Sequence, residues 1–475
     1  MIRVLSIASE CAPLVKTGGL ADVVGALPAA LAPEGVEMRI LLPGYPKVMA
    51  AAQGFAPVRS WDDLFGGPAR LLAGRAEGLD LLILDAPHLF DRDGGPYLDA
   101  HGRDWADNDA RFAALSWCGA LIGAEGAGDW APDVLHCHDW QAGFAPAYLK
   151  ARGCDLPSVM TVHNIAFHGL TDAARLEALA LPAWGFNPGG FEYHGHISAL
   201  KAGLVFAWKV TTVSPTYARE LTTPEFGAGL DGVIRGRGGD VTGILNGIDD
   251  IIWNPASDAH APRFSDVRGK AEATRALADE FGLPDGDGPL CVVISRLSDQ
   301  KGLDLLLEAL PALVERGGRL ALLGSGDPWL EGAWRSADAA HPAVSVRIGY
   351  DEALSHRMIA GGEAILVPSR FEPCGLTQLY GLRYGTVPVV ARTGGLADTV
   401  IDANRAALGA GVATGVHFAP VTAAALAVAL ERLCDLHADA PNFAQVQRNG
   451  MKSAVGWGPS AAAYATLYRR LSSPE

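Results

Sequence analysis

The feature that most limits the fold of this 475-residue chain is a regular alternation of short apolar runs with longer helix-like stretches. Each run is almost continuously apolar, as expected for a strand that is buried on both faces of a parallel sheet. The helical stretches between them supply the crossovers that parallel strands require. The first half of the chain contains such runs at residues 3–8, 37–42, 80–84, 134–138, 158–163 and 209–214.

A second series of the same character occupies the C-terminal half. Its runs are residues 290–295, 319–323, 344–348, 364–367 and 387–391. Between the two series, residues 246–265 contain Asn-Gly, Asn-Pro and Ala-Pro pairs and little periodic signal, which predicts a linker or hinge. We therefore predict two doubly wound, Rossmann-like α/β domains at 1–245 and 266–455, with an amphipathic helix in 456–475.

Composition and charge exclude several classes of protein. Apolar residues make up 49% of the chain and charged residues 19%, which is the reverse of a disordered sequence. The formal net charge of −15 argues against a general nucleic-acid or anionic-membrane binder. The chain has no apolar stretch of about 20 residues, and its start reads as a strand, so we expect neither a membrane span nor a signal peptide. Seven dispersed cysteines without a C-x-x-C pair favour reduced thiols and a cytoplasmic location.

One short motif occurs twice. Residues 16–24 and 392–400 are identical at seven of nine positions, and each copy follows a strand and opens a helix. Two glycines there expose N–H groups at a helix N-terminus, where an anion is favoured, and Lys16 adds a positive charge to the first copy. An ordinary strand–helix turn with a solvated lysine explains the same pattern, and the motif is not a P-loop.

Polar side chains follow two strands of the first series. His136 and His138 share a strand face as a metal pair would, but no third ligand has suitable spacing, so we predict no metal. Asp139 and Trp140 are placed to hold a hydroxylated ligand, or else to cap a helix and fill the core. His163 is placed to donate to a sugar oxygen, or else is a satisfied buried histidine.

Two loops of the second series carry charged groups in the same position. Arg296 and Lys301 bracket the loop after residues 290–295, where two cations near a helix N-terminus make a diphosphate clamp; a solvated pair is the alternative. Glu372 is held extended by the proline that follows it, and Gly375 and Thr377 then begin a helix. A carboxylate beside such a phosphate-binding turn suits sugar hydroxyls, with a helix cap as the alternative.

Taken together and in order, these motifs resemble the bacterial glycogen synthase and plant starch synthase family. The matching segments are residues 16–24, 135–140, 161–166, 212–220, 243–249, 294–302, 349–352, 370–377 and 392–398. The resemblance covers nearly the whole chain and implies a retaining GT-B glycosyltransferase, with two Rossmann-like domains facing across a deep cleft. It implies glucose transfer from ADP-glucose to the non-reducing end of an α-1,4-glucan (glycogen or a maltooligosaccharide), without a metal or other cofactor.

The resemblance also implies a role for each candidate residue. The catalytic set is Glu372, Arg296, Lys301, His163 and Asp139. The set that binds the nucleotide and donor is Lys16, Gly18, Gly19, Tyr350, Thr377, Gly375, Gly394 and Gly395, with Tyr350 stacked on the base. The sugar or acceptor set is Asn246, Asp22 and Trp140. The N-terminal domain would form the acceptor side, the C-terminal domain the donor side, and the last helix would cross back to the N-terminal domain.

Other readings stay open at this point. One is a GT-B glucosyltransferase that uses UDP-glucose or a small acceptor. Another is an inactive homologue that only binds a sugar nucleotide or glucan. A dinucleotide oxidoreductase is disfavoured because G-x-G-x-x-G with a following acidic residue is absent. His194, His196 and His417 depart from the family pattern. We expect these departures to affect contacts with the acceptor more than the transfer reaction itself.

Overall fold

A computed structural model of the protein describes residues 1–472, which form two compact units. The first unit comprises Met1–Asn246 together with the C-terminal segment from Trp457, and the second comprises Gly247–Gly456. Within residues 1–472, no helix combines the length and apolar character needed to cross a membrane.

The first unit is built on a nine-stranded sheet in the order β12-β11-β7-β6-β1-β2-β5-β4-β3, with a separate small sheet β8-β10-β9. The strands are β1 (Ile2–Ile7), β2 (Val36–Pro43), β3 (Ala56–Trp61), β4 (Ala69–Ala76), β5 (Leu79–Asp85), β6 (Val134–His138), β7 (Ser158–Val162), β8 (Leu170–Asp172), β9 (Glu192–Tyr193), β10 (His196–Ser198), β11 (Lys209–Thr212) and β12 (Val241–Gly243). The central strands are parallel as predicted. The β3–β4 hairpin extends the sheet in antiparallel fashion, which the sequence did not indicate.

Helices cover this sheet and provide its crossovers. They are α1 (Gly19–Leu31), α2 (Pro46–Ala51), α3 (Pro87–Phe90), α4 (Asn108–Glu125), α5 (Ala145–Ala151), α6 (Ala199–Phe206), α7 (Pro215–Glu220) and α8 (Asp231–Arg237). Helix α1 illustrates how an amphipathic sequence covers the sheet. Its Val23, Leu27 and Leu31 recur at helical spacing and are fully buried in one core cluster with Val4 of β1.

The second unit has a six-stranded, fully parallel sheet in the order β15-β14-β13-β16-β17-β18. The strands are β13 (Leu290–Ile294), β14 (Arg319–Gly324), β15 (Val344–Ile348), β16 (Ala364–Val367), β17 (Val387–Ala391) and β18 (Val416–Phe418). The helices are α9 (Lys270–Phe281), α10 (Leu303–Val314), α11 (Pro328–Ala340), α12 (Glu352–Gly361), α13 (Thr377–Tyr384), α14 (Gly394–Thr399), α15 (Arg405–Ala410), α16 (Ala423–Ala438) and α17 (Ala440–Lys452). Two apolar clusters form its core.

Most of the segment predicted as a linker belongs to the second unit. Trp253 and Phe264 are buried in one of its core clusters. The indole of Trp253 stacks on His356 of α12 at 3.7 Å between ring centroids. Asp258 accepts hydrogen bonds from His356 at 2.8 Å and from the hydroxyl of Tyr384 at 2.6 Å. These contacts fix residues 253–264 against α12 and α13.

The last helix, α18 (Gly458–Ser472), packs in the first unit. Its residues Tyr464, Tyr468 and Leu471 are buried in the cluster that contains β1 and α1 residues. The three histidines outside the family pattern are peripheral: His194 and His196 are exposed at the β9–β10 turn, and His417 is partly buried on β18.

Candidate active site

The large sheet of each unit has a point where the strand order reverses, and several of the predicted site residues follow the strands that meet there. In the second unit, β13 pairs with β14 on one side and with β16 on the other. The loops that leave the carboxyl ends of β13 and β16 therefore diverge, which is where open α/β sheets bind ligands. Arg296 and Lys301 lie in the first of these loops and Glu372 in the second. In the first unit the same role falls to the loops after β1 and β6, which carry Lys16 and Asp139.

Lys301 and Glu372 form an ion pair across the two loops of the second unit. The Lys301 ammonium lies 2.6 Å from Oε2 of Glu372, and the exposed fractions of the two side chains are 19% and 9%. The hydroxyl of Ser369 donates to the same Oε2 at 2.8 Å. Because Oε2 receives both donors, Oε1 of Glu372 is left to accept from a ligand hydroxyl.

A second set of contacts fixes the loop after β16 against the loop after β13 and the start of α10. Arg370 pairs with Asp304 of α10 through two hydrogen bonds of 2.8 and 2.6 Å. Its backbone N–H donates to the carbonyl of Gln300 at 2.9 Å. A fork-shaped guanidinium on a carboxylate restrains both distance and orientation. The spacing of Lys301 and Glu372 is therefore set by the backbone around them as well as by their own charges.

Three glycines are required where these loops touch. A Cβ on Gly302 would lie 2.1 Å from the carbonyl oxygen of Pro368, at the end of β16. A Cβ on Gly394 would lie 2.0 Å from the carbonyl oxygen of Glu372, and one on Gly395 2.2 Å from that of Cys374. Gly302 and Gly394 also have positive φ values, of 64° and 43°. The second copy of the repeated motif thus packs directly on the turn that carries Glu372.

A cavity of about 50 Å³ opens beside the Lys301–Glu372 pair. Gly375 and Thr377, the latter at the first position of α13, contribute to its lining together with Ser295. Arg296 follows Ser295 and is exposed, with no ion pair in the described part of the chain. Tyr350 does not line this cavity; it lies after β15 and its side chain is 77% exposed.

Asp139 is held in a strained conformation at the end of β6. Its φ of 53° is uncommon for a residue other than glycine. Oδ1 accepts the backbone N–H of His163 at 2.7 Å and that of Asn164 at 3.5 Å, which joins the ends of β6 and β7. Burial raises the pKa of Asp139 to about 7, although these two hydrogen bonds act in the opposite direction.

His163 belongs to a buried histidine cluster. Its Nε2 lies 3.0 Å from Nδ1 of His138, whose Nε2 lies 3.1 Å from Oγ of Ser6. The ring of His136 lies 4.1 Å from that of His138. Burial lowers the pKa of His136 and of His163 to about 3, and holds that of His138 well below its usual range. All three imidazoles are therefore neutral near pH 7.

The first copy of the repeated motif holds an internal carboxylate. Glu10, which is 3% exposed, accepts hydrogen bonds from the backbone N–H groups of Thr17 and Gly18 and, at 2.7 Å, from the Thr17 hydroxyl. The two N–H groups donate to Oε2, whereas Tyr97 donates at 2.5 Å to Oε1, the oxygen that also accepts the Thr17 hydroxyl. The Gly18 N–H that we expected to face a phosphate is therefore engaged by Glu10, while Gly19 is exposed as the first residue of α1.

The remaining candidates of the first unit have their own contacts. Lys16 forms an ion pair of 2.8 Å with Asp22 on α1, with both side chains partly exposed. Trp140 is partly buried and packs edge-on against the buried Phe112 at 5.0 Å, a contact that fits the core role considered above. Asn246 ends the unit, and its buried Oδ1 accepts no hydrogen bond within residues 1–472.

No metal-binding arrangement is found among the residues that the structure describes. Groups of three or more His, Cys, Asp or Glu side chains with suitable geometry are absent from residues 1–472. The His136–His138 pair is engaged by hydroxyl groups and by His163 instead.

Comparison with known proteins gives the family. Residues 3–236 match the starch synthase catalytic domain, and residues 288–435 match the glycosyl transferases of group 1. The chain is 63% identical to a glycogen synthase of Paracoccus denitrificans (strain Pd 1222) over 474 residues, covering 100% of both chains. The chain belongs to the glycogen synthase family. A glycogen synthase of Jannaschia sp. (strain CCS1) is 60% identical, with 99% of each chain covered.

A solved structure agrees with this assignment. The catalytic domain of starch synthase IV from Arabidopsis thaliana, bound to ADP and acarbose, superposes with a TM-score of 0.86 at 31% identity and full coverage of both chains. The fold is GT-B, and the chain is a glycosyltransferase, as the sequence indicated.

For this member of the glycogen synthase family, sequence reasoning overlooked several contact residues. Glu10 accepts from the N–H of Gly18, and Tyr97 donates to Glu10. Ser369 donates to Glu372, and Arg370 anchors the same loop through Asp304. Ser6 lies within hydrogen-bond distance of His138. Glu10 lies three residues after the end of β1, so the rule that ligand-side groups follow parallel strands could have found it. Ser369 and Arg370 lie within three residues of Glu372 and follow β16, so the same rule applies to them. Tyr97 and Ser6 make contacts between segments distant in sequence, which no local pattern indicates.

Proposed function

We propose that the protein transfers glucose from ADP-glucose to the non-reducing end of an α-1,4-glucan, with retention of the anomeric configuration. The observation that carries the proposal is the Lys301–Glu372 pair at the strand-order reversal of the second unit, beside the exposed Arg296. The 63% identity to a glycogen synthase supports the reaction, and the ADP in the starch synthase IV structure supports the adenine nucleotide.

The two cations stabilise the leaving group in this proposal. Breaking the bond between the sugar and the diphosphate develops negative charge on the phosphate and positive charge at the anomeric carbon. Arg296 is exposed and able to form two parallel hydrogen bonds to phosphate oxygens. Lys301 contributes a point charge whose position is fixed by Glu372. Charges placed in advance where negative charge develops act mainly on the transition state.

Glu372 positions the sugar rather than attacking it. Its Oε2 is occupied by Lys301 and Ser369, so only Oε1 is available to a sugar hydroxyl. A retained configuration requires either a covalent carboxylate intermediate or attack from the side of the leaving group. We favour attack from that side, with the leaving phosphate accepting the proton of the acceptor hydroxyl. Glu372 then also stabilises the positive charge that develops on the ring.

Two candidates of the first unit, His163 and Asp139, provide hydrogen-bonding groups for sugar hydroxyls in this scheme. His163 carries no charge near pH 7, and the residue is only partly buried. Asp139 uses Oδ1 to accept hydrogen bonds from the backbone N–H groups of residues 163 and 164. Sugar hydroxyls bind well to a preorganised neutral group such as His163, because no charge must be desolvated on binding. We assign the glucan acceptor to this unit.

Product analysis tests the proposal. The enzyme is incubated with ADP-glucose labelled in the glucose ring and maltotriose, and separately with fructose 6-phosphate as a small acceptor. We expect maltotetraose whose new terminal glucose is α-1,4-linked, and no transfer to fructose 6-phosphate. Transfer to the small acceptor, a β-linked product, or ligand binding without turnover would each contradict the proposal.

A further inference from the structure

Ser6, His138 and His163 form a chain of two hydrogen bonds through the first unit. Ser6 lies on β1, His138 ends β6, and His163 follows β7. Oγ of Ser6 is 3.1 Å from Nε2 of His138, and Nδ1 of His138 is 3.0 Å from Nε2 of His163. Ser6 and His138 are fully buried, whereas His163 is only partly buried.

Each ring in this chain carries a single proton. Burial lowers the pKa of both histidines far below 7, so both imidazoles are neutral. A neutral imidazole has one N–H group and one bare nitrogen. A hydrogen bond at one nitrogen therefore fixes what the other nitrogen can do, and two linked rings must share one direction.

Ser6 determines that direction. Within residues 1–472, Nε2 of His138 is the one acceptor that lies within hydrogen-bond distance of the Ser6 hydroxyl. A buried hydroxyl that fails to donate loses its hydrogen bond to water without a replacement, which is unfavourable. The Ser6 proton is therefore directed to Nε2 of His138, which must be bare. The proton of His138 then lies on Nδ1 and is donated to Nε2 of His163.

The direction of these hydrogen bonds determines the protonation of Nδ1 of His163. Because Nε2 of His163 accepts, its own proton must lie on Nδ1. Nδ1 of His163 makes no hydrogen bond in the described part of the chain, and this atom is not fully buried. The opposite arrangement would present a bare nitrogen there and would leave the Ser6 proton without an acceptor.

We propose that Ser6 and His138 are positioning residues that hold His163 in its Nδ1–H tautomer, so that its ring offers a neutral donor to a sugar hydroxyl. The identity of the sugar rests on the proposed function, whereas the tautomer does not. Neither residue touches the reacting atoms. Their effect is to decide whether His163 donates or accepts.

Two-bond ¹H–¹⁵N correlation spectra of the full chain, labelled in histidine and deuterated elsewhere, test the tautomer directly. The His163 signals are assigned as those lost in the His163→Gln variant. We expect the pattern of an Nδ1–H imidazole in the wild-type protein. In Ser6→Ala we expect a shift toward the Nε2–H pattern, because the hydroxyl proton that set the direction is gone. A wild-type Nε2–H pattern, or an unchanged pattern in Ser6→Ala, would overturn the proposal.

Activity measurements with the same variants test the consequence. We expect kcat of Ser6→Ala to fall about 10-fold, as for one weakened neutral hydrogen bond, and Ser6→Thr, which keeps the hydroxyl, to recover most of it. Tyr468→Phe is the matched control, because it removes a buried hydroxyl from the neighbouring His136 at 2.7 Å without touching His163. Its His163 spectrum and kcat should match those of the wild type. If the protein proves to use another donor, the spectra still decide the tautomer.

Discussion

Arg296 and Lys301 are held in different ways, and the difference decides what their substitution reports. Lys301 is largely buried and paired with Glu372, so its removal also releases that carboxylate. Arg296 is exposed and has no ion pair among the described residues, so truncating its side chain breaks no ion pair within the protein. Arg296 is therefore the cleaner probe of leaving-group stabilisation.

We predict that Arg296→Ala lowers kcat about 10²–10³-fold, the usual cost of one lost transition-state donor. The free energy of unfolding should change by less than about 0.5 kcal/mol, as for an exposed side chain away from structural contacts. Steady-state kinetics and urea titration measure the two effects. Arg335→Ala is the control, since Arg335 is another exposed arginine of the same unit and lies on α11. A kcat of Arg296→Ala close to that of Arg335→Ala would contradict the assigned role.

Gly394 has a steric role, because a Cβ there would lie 2.0 Å from the carbonyl oxygen of Glu372. We predict that Gly394→Ala lowers both stability, by about 1–3 kcal/mol, and kcat, because a methyl group would force the backbone of Glu372 to move. Gly409→Ala on α15 is the matched control, since a Cβ there meets nothing within 4 Å. That variant should be neutral or slightly stabilising. Denaturant titration and kinetics on both variants give the answer, and equal behaviour of the two would refute the steric argument.

At the scale of elements, the ends of β6 and β7 concentrate histidines that stay neutral in the folded state. His136 has a folded pKa of about 3, whereas an unfolded histidine titrates near 6.5. Between these values the unfolded chain binds more protons, so the free energy of unfolding rises with pH in that window. The stability that these residues contribute is present above pH 6.5 and is lost as the pH falls toward 3.

We predict that His136→Gln reduces the slope of unfolding free energy against pH, between pH 4 and pH 6, by about 1 kcal/mol per pH unit. Carboxylate titration contributes equally to both proteins and cancels in the comparison. Urea titrations at half-unit pH intervals measure the slope. His194→Gln is the control, because His194 is exposed on a turn and should leave the slope unchanged. Equal slopes for His136→Gln and the wild type would show that His136 is not held neutral.

The sequence predicted buried strands far better than exposed ones. The bounds of β6 and β17 match the predicted runs, because a strand buried on both faces needs a continuous apolar segment. The β3–β4 hairpin was missed because β3 is largely exposed and its Pro57 argues against a strand. Within the site, most of the predicted residues follow strands, whereas Tyr97 and Ser6 were not predicted, because only the folded chain brings them to Glu10 and His138.

At the scale of the molecule, α18 completes the core of the first unit from the far end of the chain. Ser460 donates to the carbonyl of Leu245 at 2.5 Å, Tyr468 contacts His136 at 2.7 Å, and Arg469 donates to the carbonyl of Glu34 at 2.7 Å. The helix also buries two tyrosines and a leucine. Removing it would expose an apolar surface worth several kcal/mol.

We predict that a chain ending at residue 456 loses the folded first unit, since the loss approaches the whole stability of a domain, about 5–15 kcal/mol. Thermal unfolding followed by tryptophan fluorescence, together with limited proteolysis, measures this. Cleavage should concentrate in residues 1–246 and spare residues 247–456. A truncated chain that melts like the full-length protein would show that α18 is dispensable.

The net charge of the whole chain, −15, contrasts with the site chemistry. Arg296 and Lys301 stand at one strand-order reversal, and Lys16 stands at the other. An acidic surface repels polyanions but has no effect on an uncharged glucan. A sugar nucleotide, by contrast, needs local cations. This distribution fits a small anionic donor and a large neutral acceptor.

Initial rates of nucleoside diphosphate release show whether the enzyme transfers glucose from ADP-glucose to a glucan. The enzyme is assayed with glycogen as acceptor and with ADP-glucose or UDP-glucose as donor, each compared with the same reaction without glycogen. We expect glycogen-dependent release of ADP with kcat/KM at least about 10-fold above that for UDP release. Preference for UDP-glucose, or release that does not depend on glycogen, would contradict it.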